Sequence, residues 1–160
     1  MAQEYPQTAA VRVLKAAGVA FSPHLYPYQE RGGTAHSSAA LGVPEHQIIK
    51  TLIMEDDHRQ PLVMLMHGDF EVSTRALARI LGSKSVTPCR PEVANKHSGY
   101  LLGGTSPFGL RRPMPVYAER SIFDLKTVYL NGGKRGFLVC LESAEVQRLL
   151  NPVLVEARRR

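Results

Sequence analysis

The chain has 160 residues, of which 44% are hydrophobic and 21% charged, which is typical of one globular domain, here expected over residues 1–160. It has neither an apolar stretch of about 18 residues nor the pattern of a secretion signal, which excludes a membrane protein and predicts a cytoplasmic location. The formal charge of +6 favours polyanions such as RNA as partners, although residues 158–160 are all arginine and supply half of this excess from what could be a solvated tail.

Hydrophobic periodicity, helix caps and turn residues predict a mixture of helices and strands. Thr8 can cap the first helix and Gly18 can end it, and Ser73 and Gly82 bracket a later helix in the same way. In chain order we expect a helix from Thr8 to Gly18, a strand over 20–26 with Pro23 at an edge, a short helix over 35–41, strands over 48–54 and 61–66, a helix from Ser73 to Gly82, a strand over 85–89, a helical turn after Pro91, strands over 116–117, 127–130 and 137–141, and a helix over 143–150.

The short connections between these strands determine the expected fold. A parallel crossover needs about a dozen residues and usually a helix, so strands in close succession favour antiparallel pairing. We therefore expect a mixed α/β (α+β) fold, in which helices flank a mainly antiparallel sheet that curls toward a barrel. The polar loop over 28–34 precedes the short helix, and loops of this kind often carry ligand contacts.

Lys50 is a charged residue inside the apolar run 48–54. Both faces of this predicted strand are largely apolar, so the ammonium would lose hydration there. In a structural interpretation, the side chain reaches a sheet edge or pairs with an acid such as Asp69 or Glu71. In a functional interpretation, it faces a phosphate, a carboxylate or a polarised carbonyl. Periodicity alone leaves both open.

A glycine-rich loop at 99–109 is the second unusual segment. It lacks the Walker A ending and the dinucleotide-binding spacing, so ATP and NAD lose support. The loop could simply turn the chain between strands. In the functional interpretation, the amides of residues 103–106 form an oxyanion hole and the following proline holds the loop rigid. The residues concerned are Gly103, Gly104, Thr105, Ser106 and Pro107.

A third segment, residues 131–136, predicts a hairpin turn with two cations. Asn131, Gly132 and Gly133 would turn the last pair of strands. Lys134 and Arg135 are then solvated, as such residues usually are, or they grip an RNA backbone phosphate.

The remaining candidates for chemistry carry weaker signals. The six histidines show no zinc spacing, and Cys89 and Cys140 lie far apart without a Cys-x-x-Cys motif, so we expect no metal and no cofactor. A Cys-His or Ser-His nucleophile stays open, but no pattern favours one over a packed Cys89 or a capping Ser106. Tyr26 and His24 could line a pocket, although single residues of this kind are more often structural.

Three segments in order, residues 49–52, 99–109 and 128–136, resemble the YbaK/ProX family of free-standing aminoacyl-tRNA deacylases. That family is related to the editing insertion of bacterial prolyl-tRNA synthetases. The resemblance covers nearly the whole chain and rests on a Lys-Thr-Leu strand and a Gly-x-x-x-Pro loop. It implies the editing-domain fold, and removal of a wrong amino acid, such as cysteine or alanine, from tRNA charged for proline.

The resemblance also implies roles for individual residues. Lys50 matches the lysine that is thought to hold the charged 3′ end, and Tyr26 matches a tyrosine that lines the pocket. The loop from Gly103 to Pro107 matches the loop whose amides surround the scissile ester. The expected substrate-binding residues are Tyr26, Thr51, Tyr100, Asn131, Gly132, Gly133, Lys134 and Arg135.

The YbaK branch, which the Gly-Gly-Lys-Arg-Gly segment resembles most, is thought to let the substrate's own thiol attack the ester. The protein then supplies positioning and no nucleophile. Cysteine-specific members often carry Ser at the position of Asn131 and Asp at the position of Leu138. The preferred amino acid therefore stays open.

Two other functions stay open beside a deacylase of aminoacyl-tRNA. One is a non-catalytic module that docks on tRNA or on a prolyl- or cysteinyl-tRNA synthetase. The other is a hydrolase of small acyl esters that uses the same pocket. A salt-sensitive affinity for tRNA would count against the small-ester hydrolase.

Overall fold

The computed structural model of the protein describes residues 4–159. The predictions made for residues 1–3 and for Arg160 lie outside this range. The helices are α1 (Ala9–Ala16), α2 (Gly33–Leu41), α3 (Thr74–Leu81), α4 (Pro91–Ser98) and α5 (Ser143–Leu150), with 3₁₀ turns at Glu45–Gln47 and Arg120–Asp124. The strands are β1 (Ser22–Leu25), β2 (Ile49–Asp56), β3 (Pro61–His67), β4 (Glu71–Val72), β5 (Val86–Pro88), β6 (Val116–Glu119), β7 (Thr127–Lys134), β8 (Phe137–Glu142), β9 (Val153–Val155) and β10 (Arg158–Arg159).

The predicted helix caps are confirmed. The side chain of Thr8 accepts a hydrogen bond from the Val11 amide at the start of α1. Ser73 accepts one from the Ala76 amide at the start of α3, and Gly82 ends that helix in the left-handed conformation. Each cap satisfies an amide that has no partner within its helix, which fixes where the helix begins.

The strands form three separate sheets, and the mixed α/β class is confirmed. The orders are β5-β2-β3-β6-β9, β1-β8-β7 and β10-β4. Strand β1, which contains Pro23, lies at a sheet edge as predicted, because proline cannot donate to a strand ladder.

The predicted curl of one mainly antiparallel sheet is not confirmed. The largest sheet is mixed, because β6 pairs in parallel with both β3 and β9. Its other pairs are antiparallel, as is the β1-β8-β7 sheet. Long stretches of chain, including α5 between β8 and β9, separate the parallel partners, and such long-range pairing leaves no local signal in the sequence.

The hairpin between β7 and β8 differs from the prediction. Asn131, Gly132 and Gly133 do not form the turn but belong to β7, which has an irregular register between Asn131 and Lys134. The chain turns at Arg135 and Gly136 instead. A Cβ at Gly132 would lie 2.3 Å from the Phe137 ring, so the glycine is needed for the close packing of the two strands.

The backbone of segment 158–159 is part of a sheet and not a free tail, although both arginine residues are exposed to solvent. Arg158 and Arg159 form β10, which pairs with Val72 and Glu71 of β4. Arg158 also places its guanidinium carbon 5.2 Å from the centre of the Phe70 ring. The end of the described chain is thereby attached to the turn after β3.

Apolar residues are buried on both faces of the five-stranded sheet. The larger core includes Ile49 and Ile53 of β2, and the smaller core includes Met54 of the same strand with Leu77 of α3. The alternation predicted for residues 48–54 therefore holds, and Lys50 lies on the face of the smaller core. No helix within residues 4–159 has the length and apolarity that a bilayer crossing requires.

Candidate active site

A cavity of about 420 Å³ opens beside the first residues of β2. One wall consists of residues between Tyr26 and Ser37. They include the predicted polar loop and the first residues of α2. Residues 48–52 line it from the side of β2, and the glycine-rich loop and the β7–β8 hairpin complete it. The predicted site residues that line this cavity are Tyr26, Lys50, Thr51, Gly103, Thr105, Asn131 and Arg135.

The glycine-rich loop is held against the β7–β8 hairpin by hydrogen bonds to its carbonyl groups. The Asn131 side-chain amide donates to the Gly103 carbonyl at 3.0 Å, and Arg135 Nε donates to the Leu102 carbonyl at 2.9 Å. Asn131 Oδ1 also accepts from the amides of Gly133 and Lys134. One asparagine side chain thus fixes the irregular end of β7 and the loop together.

The amide groups of the same loop are used unequally. The Gly104 amide donates to the Leu101 carbonyl at 2.8 Å, which closes a turn. Within residues 4–159, the amides of Gly103 and Thr105 donate to no protein group, and both residues line the cavity. Two of the four amides predicted to form an oxyanion hole are therefore excluded. The Gly104 amide already has an acceptor, and Ser106 is buried and does not line the cavity. Gly103 and Thr105 are therefore the two residues of the predicted set that line the cavity and whose amides have no acceptor within residues 4–159.

The conformation of Gly103 requires glycine. Its φ of +90° is rare for residues with a side chain. A Cβ at this position would lie 2.7 Å from the hydroxyl oxygen of Tyr28, on the opposite wall of the cavity. Tyr28 in turn lies under the Arg135 guanidinium, whose central carbon is 5.2 Å from the ring centre. The loop, the hairpin and the wall around Tyr28 are therefore in mutual contact at the cavity mouth.

Lys50 lines the cavity, and the acceptors of its ammonium lie in the turn after β3 and at the start of β4. Nζ donates to the Phe70 carbonyl at 2.6 Å and lies 3.6 Å from Oε1 of Glu71. Pairing with Glu71 is one of the two structural alternatives considered for this lysine. The side chain is 19% exposed. An ammonium has three donors, so one remains after these two contacts.

Phe70, which holds Lys50, is itself fixed by a group of rings and cations. Its ring meets the His46 and His67 rings nearly at right angles, at 86° and 89°, while Arg158 covers it. Such edge-to-face arrangements are favourable for aromatic rings. The position of the Lys50 ammonium thus depends on rings near the C-terminal end of β3 and on the C-terminal strand β10.

His46, His67 and Asp69 place potential metal-ligand atoms within 4.8 Å of one another. The two imidazole rings, however, stack at 3.8 Å with 6° between their planes. Imidazole lone pairs lie in the ring plane, so stacked rings direct them side by side and not toward one ion. Both ring nitrogens of His67 are also already hydrogen-bonded, Nδ1 to the His46 carbonyl and Nε2 to the Ser121 hydroxyl. The group fits a structural role in which His67 is buried while His46 and Asp69 are partly exposed, and the absence of a metal stays a prediction.

His67 is fully buried, and burial lowers its pKa below the ordinary value. A carbonyl can only accept, so Nδ1 carries the proton toward His46 and Nε2 accepts from Ser121. The neutral form is therefore the one that this surrounding holds.

The first wall of the cavity is built from aromatic and hydroxyl groups. The rings of Tyr26 and His36 lie 5.8 Å apart, and burial raises the pKa of Tyr26. His36 Nε2 contacts the Pro27 carbonyl at 2.7 Å, so this nitrogen donates and is not a free base. Across from this wall, Thr51 Oγ1 is buried and has no hydrogen-bond partner within residues 4–159.

Several predicted site residues support the cavity without lining it. Tyr100 donates its hydroxyl to the Phe108 carbonyl, and burial raises the pKa of Tyr100 to about 12. Ser106 Oγ accepts from the Phe108 amide. A Cβ at Gly133 would lie 2.8 Å from the Tyr100 ring. The predicted residues outside the lining are Tyr100, Gly104, Ser106, Pro107, Gly132, Gly133 and Lys134.

Other lining residues were not predicted one by one. The segment 28–34 was expected to carry ligand contacts only as a polar loop, and it does line the cavity. His36 and Ser37 of α2 and Leu102 of the loop were missed. Leu138 lines the cavity opposite Asn131 in the register of β7 and β8. An apolar strand residue such as Leu138 gives no local signal that it faces a cavity instead of a core.

The sequence is similar to known editing proteins. The pattern of the family described as "Aminoacyl-tRNA editing domain" matches residues 32–149. EbsC of Enterococcus faecalis, named as a candidate Cys-tRNA(Pro)/Cys-tRNA(Cys) deacylase, is 26% identical over 151 residues, which are 94% of this chain and 92% of EbsC. A proline–tRNA ligase of Streptococcus equi subsp. zooepidemicus is 31% identical over 100 residues, which are 62% of this chain but 16% of the ligase.

Solved structures share the fold. The crystal structure of a hypothetical protein, APE2540, has a TM-score of 0.86 at 23% identity, covering 95% of this chain and 100% of that one. The structure of a candidate trans-editing enzyme for prolyl-tRNA synthetase has a TM-score of 0.84 at 19% identity, covering 98% and 100%. Identities this low speak for the fold alone. Because the family pattern covers well over half of its length, this chain belongs to the aminoacyl-tRNA editing domain family.

Proposed function

We propose that this chain is a trans-editing aminoacyl-tRNA deacylase that removes a wrongly attached amino acid, cysteine first and alanine otherwise, from tRNA(Pro) or a related tRNA. The proposal rests mainly on the amides of Gly103 and Thr105, which have no acceptor among the described residues 4–159 and belong to residues that line a cavity together with Lys50. Family membership and the similarity to EbsC support the same class of substrate. The editing domain is proposed to include residues before 32, because α1 contributes Ala10, Val11 and Leu14 to the larger core.

The two amides suit the ester that links an amino acid to a tRNA 3′ end. In the reaction, a nucleophile adds to the carbonyl carbon, negative charge develops on the carbonyl oxygen, and the bond to the 3′ oxygen then breaks. Amides fixed in a site of low polarity stabilise that charge, and one such donor typically contributes about 100-fold to 1,000-fold in rate. Gly103 and Thr105 would point at the developing oxyanion, while the leaving 3′ oxygen takes up the proton that the nucleophile gives up.

The nucleophile is proposed to come from the substrate or from water. With cysteine attached, the substrate's own thiol attacks and closes a ring through sulfur; with alanine, water attacks. Among the hydroxyl groups that line the cavity, Thr34 donates to Glu45 and Ser37 donates to the Thr34 carbonyl. The Thr51 hydroxyl is buried and has no hydrogen-bond partner, and hence no base to activate it, within residues 4–159. An oriented thiol has a high effective concentration next to an ester that is already activated.

Lys50 is proposed to hold the charged 3′ end. Its contacts with the Phe70 carbonyl and Glu71 fix the ammonium, and one donor remains for a phosphate or hydroxyl oxygen of the terminal nucleotide. The role is positioning: the interaction is present in both the bound ester and the transition state.

The apolar part of the lining is compatible with a small, uncharged amino-acid side chain. Leu138, Ile48 and Ile49 are each at most 4% exposed and all contribute to the cavity. A charged side chain would lose hydration against them without a partner. Cysteine and alanine both fit this condition, which is why the amino acid must be found by experiment.

The experiment is the time course of amino-acid loss from a panel of labelled tRNAs, with the wild type and Lys50→Ala. The panel contains Cys-tRNA(Pro), Ala-tRNA(Pro), Cys-tRNA(Cys) and correctly charged Pro-tRNA(Pro), and small aminoacyl esters of cysteine and alanine are measured beside it. Rapid, Lys50-dependent loss from one mischarged tRNA supports the proposal and names the substrate. Absence of loss with tRNA still bound would replace it with a docking module, and equal loss from small aminoacyl esters would replace it with a small-ester hydrolase.

A further inference from the structure

A group of basic residues lies on the surface where α4 ends. We call it the α4 basic cluster, and it consists of Lys96, His97, Arg111 and Arg112. We propose that the α4 basic cluster binds the sugar-phosphate backbone of the acceptor arm of the RNA whose 3′ end occupies the cavity. This inference rests on the proposed function, because it extends the same RNA beyond the active site.

The backbone holds the four residues together. The amide of Arg111 donates to the Ser98 carbonyl at 3.0 Å, and the amide of Arg112 donates to the His97 carbonyl at 3.1 Å. The Arg112 guanidinium reaches the His97 ring, with Nη1 and Nδ1 3.4 Å apart. Two segments that are separate in sequence are thus brought together, because hydrogen bonds fix the backbone of Arg111 and Arg112 beside the end of α4.

The charges of the cluster are not neutralised within the described chain. Lys96, Arg111 and Arg112 are exposed, and none of them forms a salt bridge with a residue in 4–159. Burial lowers the pKa of His97, and the nearby charges of Arg112 and Lys96 lower it further. Glu55 is the acid that acts in the opposite direction and raises this pKa. The C-terminus of α4 would favour about half a positive charge, so three permanent cations exceed what a helix end requires.

The cluster is continuous with the cavity through the glycine-rich loop. Gly99 packs against Arg111, since a Cβ at Gly99 would lie 3.2 Å from the Arg111 Cβ. Leu102, three residues later, lines the cavity, so the two points are at most about 11 Å apart along the chain. Arg135 adds a cation at the mouth by its bond to the Leu102 carbonyl. Cations therefore occur at both ends of this short path.

The chemistry of the path favours RNA over an acidic protein surface. Guanidinium groups pair well with phosphate oxygens, and a polyanion binds more tightly to a surface that carries several cations in a row. Leu101 and Leu102, 60% and 52% exposed, lie between the cations and offer apolar contact for unstacked bases near a single-stranded 3′ end. An RNA held by its 3′ end in the cavity must leave over a surface next to the mouth.

The test compares Arg111→Glu/Arg112→Glu with the matched control Arg75→Glu/Arg79→Glu. The control residues are exposed on α3, which packs on the other core of the five-stranded sheet, and the change in net charge is the same. The cluster variant is expected to raise KM for aminoacyl-tRNA at least 10-fold with kcat within about twofold. The slope of log affinity against log salt should fall by about 2, one unit for each phosphate that is no longer bound. Arg111→Lys/Arg112→Lys should restore most of the affinity.

A second substrate separates this inference from the proposed function. An aminoacyl ester of the 3′-terminal nucleoside alone fills the cavity but cannot reach the cluster, so both variants should cleave it like the wild type. The inference would be overturned by equal KM changes in the cluster and control variants, or by an unchanged KM and salt slope in the cluster variant. An acidic protein would then be the partner to consider for this surface. If the wild type cleaves neither substrate, the proposed function fails, while salt-dependent tRNA binding still reports on the cluster.

Discussion

The two sides of the cavity use their polar groups in opposite ways. On the side of β3 and β4, the Lys50 ammonium already has protein partners in Phe70 and Glu71. On the side of the glycine-rich loop, the carbonyls of Leu102 and Gly103 are bound by the hairpin, while the amides of Gly103 and Thr105 have no partner within residues 4–159. On one side, protein contacts already hold the ammonium in place and leave one donor for a ligand; on the other side, the two amides have no partner within residues 4–159 until a ligand arrives.

This difference suggests a division of work. A group whose contacts are already made acts as a fixed charge and binds ground state and transition state alike. Donors without partners interact most strongly where charge develops, so they act on the transition state. Variants on the two sides should therefore differ in how they change KM and kcat.

Replacing Lys50 should have the largest effect. Lys50→Ala is expected to abolish deacylation at subsaturating tRNA through a large rise in KM, because the 3′ end is no longer held near the loop. The fold should survive with a loss of about 1 kcal/mol, since Glu71 is largely exposed and stays hydrated. Steady-state kinetics and thermal unfolding measure the two effects, with Lys84→Ala as a control at an exposed lysine. Normal deacylation by Lys50→Ala would remove this side of the site from the account.

Blocking the loop should reduce kcat by about 100-fold or more, the value of one missing oxyanion donor. Gly103→Val places a side chain at a φ of +90° and against the Tyr28 hydroxyl. Gly82→Val is the matched control, because Gly82 also has a positive φ, of +70°, but open space around it and no part in the cavity. Both variants should lose stability, and only Gly103→Val should lose turnover. Unchanged turnover in Gly103→Val would contradict the oxyanion proposal.

Loosening the loop should have an intermediate effect. Asn131→Ala removes the donor to the Gly103 carbonyl and the acceptor of two β7 amides. We expect kcat to fall about 10-fold, since a small misplacement of catalytic donors is costly, with little change in KM. Asn131→Asp keeps the acceptor for the two amides but not the donor to Gly103, so it separates the two contacts. A fall in activity that only follows stability would assign Asn131 a structural role.

The smallest expected effect is the pH dependence of stability that comes from His67. Its ring packs against Phe70, whose carbonyl binds Lys50. The lowered pKa of His67 means that the folded protein prefers the neutral ring, so its contribution to stability is fully present above the ordinary pKa of 6.5 and is lost as the pH falls. The neighbours that can change this are His46, Asp69 and Arg158. NMR titration of the imidazole should give a midpoint below 6.5. A midpoint at or above 6.5 would show that burial does not dominate there.

Local patterns in the sequence predicted the parts of the molecule that local physics determines. Thr8 and Ser73 cap helices as expected, and the misfit of Lys50 in an apolar strand correctly drew attention to the cavity. The parallel pairing of β6 with β3 and β9 was not predictable, because it joins segments that are distant in sequence. The three residues 131–133 looked like a turn by composition, but packing of Gly132 against Phe137 keeps them in the strand.

The sequence also could not predict which amides of the glycine-rich loop are free and which are hydrogen-bonded. Gly103, Gly104 and Thr105 look equivalent as donors until the Gly104 amide is seen to close a turn onto Leu101. The same holds for the α4 basic cluster, whose arginines are distant in sequence from Lys96. Which amides and cations are free depends on hydrogen bonds that only the folded chain defines.

The most direct measurement is the amide spectrum of the loop on binding a 3′-aminoacylamide analogue of mischarged tRNA, in which an amide replaces the scissile ester. We expect large shifts for the Gly103 and Thr105 amide protons and a small one for Gly104, whose amide is already bound to Leu101. Saturable binding that leaves the Gly103 and Thr105 signals in place would contradict the claim that these two amides receive the ester oxygen.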